Sequence, residues 1–251
     1  MIVAGDLQGH WRRAWLKAPG LDDHDTAVHW MQAGKGYADI RIPASRPDTG
    51  GARALADLAP NILRDLMRAE GFAGEIVVDK DVCTWARHIN WHGATDSVDA
   101  GLLTFHEDGA LGEAGVHADY EELWHRSVEG PTEAMRLRCG DGRLGVLVSV
   151  GTRFVFGIGD PAAPSSAVVA DALDRGTRPD ALAAFFRGVF VLGRWRQGVG
   201  LADLSTNPLL EGRHVLTRTN RGAIWHDVDF FGRSHDRPLD IQDAVAPQSV
   251  R

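Results

Sequence analysis

Apolar and polar residues alternate with a period of two along most of this chain, the pattern of extended strands that turn one face toward an interior and the other outward. It predicts strands over His10–Lys17, Thr26–Ala33, Gly36–Ile42, Glu75–Val78, Val82–Trp91, Gly101–His106 and Val116–Ser127. The rhythm continues over Glu133–Cys139, Leu144–Val150, Arg153–Ile158, Val189–Val199, Arg213–Arg218 and Ala223–Phe230. Between them, Glu107-Asp108-Gly109, Gly140-Asp141-Gly142 and Thr219-Asn220-Arg221-Gly222 put Gly, Asn or Asp where a hairpin turn needs them.

Two stretches depart from alternation. Residues Gly51–Glu70 carry Leu55, Leu58, Ile62, Leu63, Leu66 and Met67 at helical spacing, and Gly71 then reads as a C-cap. Residues Ser165–Phe186 read as two short helices, the second starting at Pro179. Each helical stretch is expected to cap a barrel end. The expected fold is mainly β, an antiparallel meander closed into one large or two smaller barrels. It occupies residues 1–236, with two lobes of about 1–130 and 131–236 as the divided alternative and 237–251 as a flexible tail.

At 251 residues, 44% hydrophobic and 24% charged, the chain can bury a substantial core. A net charge of −7 with scattered basic residues argues against nucleic acid as a partner. No apolar run is long enough to span a bilayer as a helix, and the N-terminus lacks a signal-peptide pattern, so a cytoplasmic protein with no membrane partner is expected. Cys83 and Cys139 fit neither a disulfide framework nor a zinc motif and read as small apolar fillers. Eight tryptophans against two tyrosines point to an aromatic-lined pocket or a lumen plugged by indoles.

Gly9-His10-Trp11 opens the first strand and resembles the Gly-x-Trp of the calycin barrels, the superfamily of lipocalins, fatty-acid-binding proteins and nitrobindins. The resemblance implies a barrel holding a small hydrophobic or aromatic molecule, with the Trp across the barrel base beside an Arg from a later strand. It does not choose among transport, haem chemistry, isomerisation and lyase reactions. Gly193-Arg194-Trp195-Arg196-Gln197 echoes Gly9-His10-Trp11-Arg12-Arg13, with internal duplication and chance both open.

Candidate chemistry concentrates on four strands. In Val116–Ser127, Tyr120, Glu122, Trp124 and Arg126 share a face, giving two proton-transfer candidates, a wall and an anchor for an anionic group. The competing reading has Tyr120 bonded to a loop and Glu122 paired with Arg126. In Val82–Trp91, Trp85, Arg87, Ile89 and Trp91 share one face and His88 the other. Arg87 between the indoles is either a substrate clamp or a stacked surface residue, and His88 is a further catalytic candidate. Trp30 and the Asp39/Arg41 pair complete the set, lining a cavity or facing water.

Eleven histidines form no zinc motif, and His88 and His92 lie about 13 Å apart on a strand. No metal and no nucleotide cofactor is expected; haem, which asks for only one axial residue, stays open. Three functions follow: a cofactor-independent lyase or isomerase, a non-catalytic carrier or sensor, and a haem barrel. A homodimer is compatible with each.

Overall fold

The computed structural model describes residues 1–93 and 97–248 and builds two closed antiparallel barrels in succession. The first runs through β1 (Gly9–Ala18), β2 (Leu21–Asp23), β3 (Ala27–Ala33), β4 (Gly36–Ile42), β5 (Glu70–Asp79), β6 (Val82–Asn90), β7 (Ala100–Phe105), β8 (Leu111–Gly115) and β9 (Glu121–Val128). β9 pairs back onto β1 from Lys17↔Glu121 to His10↔Val128 and closes the ring. β2 and β3 behave as one interrupted strand along the same edge of β1; Asp23 Oδ1 accepts from the backbone N–H groups of Asp25 and Thr26 in the break.

The second barrel follows the same neighbour-to-neighbour path: β10 (Thr132–Cys139), β11 (Leu144–Val150), β12 (Arg153–Gly159), β13 (Val189–Arg196), β14 (Val199–Ser205), β15 (His214–Thr219), β16 (Gly222–Val228) and β17 (Ser234–Gln248). β17 pairs with β16 on one side and β10 on the other. Residues 237–248, expected as a flexible tail, are therefore the closing strand. Their alternation is weak because Asp236, Pro238, Asp240 and Asp243 interrupt the apolar positions.

The sequence pattern explains the two interiors. In β11, β12 and β13 both faces are apolar: Leu147, Phe154, Phe156, Ile158, Val189 and Val191 fill the second lumen, while Val146, Val148, Val155, Phe190 and Leu192 face the first barrel. Against that outer face lie Met31, Ile40, Ala73, Ile89 and Trp91 of the first barrel, so an apolar layer joins the two. The closest approach depends on missing side chains: a Cβ on Gly71 would fall 2.3 Å from Phe190 Cγ, and one on Gly157 2.2 Å from Phe190 Cε1. Gly71 is thus a strand residue at the inter-barrel contact, not a helix cap.

Other expectations shift for local reasons. The helix expected over Gly51–Glu70 shrinks to α1 (Pro60–Leu66) after a short 3-10 turn, because Pro60 starts it and Glu70 already pairs with Arg41 in the sheet. α2 (Ser166–Asp174) and α3 (Pro179–Leu182) form the second excursion. Leu63 and Leu66 meet Val169, Ala172 and Leu173 in one apolar cluster with Phe230, so the two excursions pack on each other. Val116–Ser127 divides at a turn in which Gly115 N–H donates to the Tyr120 carbonyl, and Val189–Val199 divides at Gln197-Gly198. At the hairpin tips Gly109 and Gly142 take φ of +82° and +92°, the left-handed region their turns require.

Gly9–Arg13 lies on the first strand of one barrel and Gly193–Gln197 on the fourth of the other, so the echoed segments hold non-equivalent places. Cys83 and Cys139 are free and buried in different barrels. Among the described residues no helix is long and apolar enough to cross a membrane.

Candidate functional site

The first lumen is only partly filled. Its base is plugged by Trp11, whose Nε1 donates to the Leu7 carbonyl at 2.8 Å, and by Tyr37, Ile76, Cys83, Leu103 and Leu111 around it. Above the plug stands an aromatic wall. Trp30 meets Trp85 and Trp124 edge-on, at 5.6 and 5.8 Å between ring centroids. Beyond these indoles a cavity of about 250 Å³ opens at the far end, lined by Trp30, Trp85, Trp124, Phe72 and Leu16 together with Asp39, Arg41, Arg87, Asp99, Glu113, Tyr120 and Glu122.

Strand alternation puts these groups there. On β4 the odd positions Tyr37, Asp39 and Arg41 point inward while Ala38, Ile40 and Ile42 pack in the inter-barrel layer. On β9 the even positions Glu122 and Trp124 point inward, and Tyr120 joins them from the turn before the strand. On β8 Leu111 and Glu113 point inward, and Glu113 stands directly across from Glu122 in the register.

Most charges in this end are paired. Arg13, 4% exposed, donates to Glu122 Oε1 at 2.7 Å and to Asp23 Oδ2 at 2.5 Å. Arg41 Nε donates to Asp39 Oδ1 at 2.9 Å and its Nη1 stands 3.7 Å from Glu122 Oε1. Arg87 grips Asp99 Oδ2 through Nε and Nη2, at 3.1 and 2.5 Å. Both free guanidinium faces lie on Phe72, Arg87 at 3.6 Å from the ring centroid and Arg41 at 4.9 Å.

Glu113 is the exception. It is buried, and among the described residues it has no cationic partner within hydrogen-bonding distance: Tyr120 Oη donates to Oε1 at 2.8 Å and Trp124 Nε1 to Oε2 at 3.0 Å. Burial first, and then the Glu122 charge alongside, push its carboxyl up to about 8. Burial also raises Asp39, to about 6, with the Arg41 guanidinium holding it back from going further. Burial and the neighbouring Glu113 raise the Tyr120 phenol as well. Near neutrality the cavity therefore has one carboxyl that keeps its proton, Glu113, and one that has mostly lost it, Asp39.

Of the residues singled out by sequence, Trp30, Asp39, Arg41, Trp85, Arg87, Tyr120, Glu122 and Trp124 meet in this cavity. Two do not. Arg126 sits at the opposite end, its guanidinium 4.6 Å over the Trp11 ring and its Nη2 donating to the Asp6 carbonyl at 2.7 Å. His88 occupies a bulge opposite Ala73 and Gly74, on the outside of the barrel, with Glu75 and Arg136 nearby and its pKa lowered by burial. The same bulge reverses the parity of β6, so Ile89 and Trp91 join the inter-barrel layer and Arg87 stacks on Phe72 rather than between indoles. Glu122 pairs with Arg13, not with Arg126. Glu113, Asp99 and Arg13 were not singled out. For Glu113 the available signal was the Leu111/Glu113 alternation, obscured by Gly112 and Gly115 on either side.

Among the described residues no group of three His, Cys, Asp or Glu side chains is arranged to hold a metal ion.

No family model matches the chain, and no curated protein matches it. Among solved structures, the uncharacterized protein YLR301w of Saccharomyces cerevisiae is similar over 96% of this chain and 100% of its own, at 10% identity and a TM-score of 0.55. At that identity the similarity is one of fold.

Proposed function

We propose that the open end of the first barrel binds a small organic molecule with a planar, apolar body and moves protons on it, as a cofactor-independent lyase or isomerase. One observation carries this reading: two buried carboxyl groups, Asp39 and Glu113, line the same indole-walled cavity from different strands. They are in opposite protonation states near pH 7, which is what an acid and a base working on one substrate need.

The calycin resemblance supports a ligand in this place. Trp11 lies across the base of an eight-stranded meander under the guanidinium of Arg126 from its last strand. It also gives Arg126 a structural task away from the ligand. Haem is not favoured, because among the described residues no histidine lines the cavity and about 250 Å³ suits a molecule far smaller than a porphyrin. Two free cysteines agree with a cytoplasmic setting.

The test is native mass spectrometry of the protein purified from its own host, followed by turnover of the co-purified molecule. Asp39→Asn and Glu113→Gln are expected to retain binding and to lose turnover. A bound molecule that wild-type protein leaves chemically unchanged assigns the barrel to the carrier or sensor class, and full turnover by both variants removes the proposed roles.

A further inference from the structure

We infer that the Tyr120–Glu113 pair receives the carbonyl oxygen of an enolisable ketone or aldehyde, and that Asp39 takes the proton from the carbon beside that carbonyl. The inference rests on the reading of this cavity as a ligand site and adds the substrate class.

Around the first barrel the order is β1, β3, β4, β5, β6, β7, β8, β9, so β4 and β8 are separated by three strands in either direction and form opposite walls. Asp39 stands on β4 and Glu113 on β8, both lining the cavity. A planar ligand lodged against Trp30, Trp85 and Trp124 therefore has a carboxyl on each side.

The hydrogen-bond inventory then assigns the roles. Trp124 Nε1 donates only, so Glu113 Oε2 accepts and the carboxyl proton belongs on Oε1, facing Tyr120 Oη at 2.8 Å. Toward the carboxylate Tyr120 Oη is the donor, but once Glu113 holds its proton the bond reverses: the acid donates to the phenol oxygen, and Tyr120 has its own O–H free to donate into the cavity. A neutral acid backing a phenol is a donor pair suited to an oxygen on which negative charge develops. On the other wall, Asp39 Oδ1 accepts from Arg41 Nε, and among the described residues no hydrogen bond reaches Oδ2. That leaves one carboxylate oxygen able to accept a proton.

The charge balance selects a neutral ligand. The carboxyls of Asp39, Asp99, Glu113 and Glu122 line the cavity against the guanidiniums of Arg41 and Arg87. Arg87 is already committed to Asp99 and Arg41 to Asp39, so a carboxylate or phosphate ligand would find little uncompensated positive charge.

The step balances without a further reagent. Asp39 Oδ2 removes the α-proton, the C–H electron pair becomes the new C=C bond, and the carbonyl π pair moves onto the oxygen held by Tyr120. As the oxygen's electron pair re-forms the C=O bond, Asp39 returns the proton to a conjugated carbon to complete isomerisation, or first swaps it with a solvent proton or deuteron and returns that to the same carbon to complete exchange. No electron leaves the substrate and no water is consumed.

The experiment uses 2-indanone, a planar aromatic ketone with activated α-protons, and indane, which lacks the oxygen. Calorimetric titration of the full chain is expected to give binding about ten-fold tighter for 2-indanone, since a site built to hydrogen-bond an oxygen rejects the analogue without it. Proton NMR in deuterium oxide is expected to show exchange of the indanone α-protons above the rate in acetate buffer. Tyr120→Phe should bring the two affinities together, while Asp39→Asn keeps the difference and loses the exchange. Equal affinities in the wild-type protein, or exchange no faster than in buffer, overturn the carbonyl assignment and leave the ligand site standing. Failure of both molecules to bind overturns the site itself and the assignment with it. The wild-type comparison decides the matter even should a variant fail to fold.

Discussion

Replacing Glu113 by Gln should change how stability depends on pH more than it changes stability at any one pH. The amide can still accept from Trp124 and can donate to Tyr120, so the packing is kept while the titration is removed. In the unfolded chain the carboxyl loses its proton near 4.5, and in the folded barrel only near 8. Between those values Glu113 gives the folded wild-type protein one more bound proton than the unfolded chain, so its contribution to stability is full below about pH 4.5 and is lost as pH rises toward 8. The slope is about 1.4 kcal/mol per pH unit, or roughly 5 kcal/mol over the whole interval. With about 2–4 °C of melting temperature per kcal/mol in a domain of this size, the gap between variant and wild type should widen in the variant's favour by roughly 10 °C from pH 5 to pH 8. Scanning calorimetry of both proteins at constant ionic strength reads this directly. A gap that stays constant across that range refutes the assignment of Glu113 as a buried, proton-holding acid.

Three further outcomes are expected. His10 Nε2 and His29 Nδ1 lie 2.9 Å apart beneath the second barrel's Arg153, and burial lowers the two to about 3 and about 4, so the unfolded chain takes up protons first as pH falls below 6.5. Stability should drop by up to about 1.4 kcal/mol per histidine per pH unit from pH 6.5 toward 4, and urea midpoints of a His10→Gln/His29→Gln variant that keep the wild-type slope would contradict this. Gly71→Ala should cost about 1–3 kcal/mol in chemical denaturation through its clash with Phe190, and adding Phe190→Leu should recover part of it; no recovery would mean the clash is not the cause. A chain stopped after Asp236 should leave β10 and β16 as open edges and aggregate, whereas a soluble product with unchanged circular dichroism and melting would show the closing strand to be dispensable.

The cavity was legible wherever alternation ran unbroken. Trp30, Arg41, Tyr120, Glu122 and Trp124 hold their parity, and their mixture of indole and charge on one face marked an interior that is not simply core. Legibility failed at irregular backbone. One bulged residue at His88 exchanged inside for outside along the end of β6, and glycines on both sides of Glu113 hid a five-residue strand. Pairing partners were hidden for another reason: Arg13 reaches Glu122 only because the last strand returns to the first, a contact 109 residues apart in sequence. The apolar faces of β11 to β13 were recognisable as strands, but nothing local says that one face meets another barrel.

The order in which the strands emerge from the ribosome has its own consequence. The first barrel can close once Val128 is available, whereas the second must wait for Ser234–Gln248 to reach a partner near Thr132. During that delay Met31, Ile40, Ala73 and Ile89 are synthesised and folded with no cover. Nascent chains are therefore most prone to self-association, and most attractive to a holding chaperone, in the period between completion of the two rings.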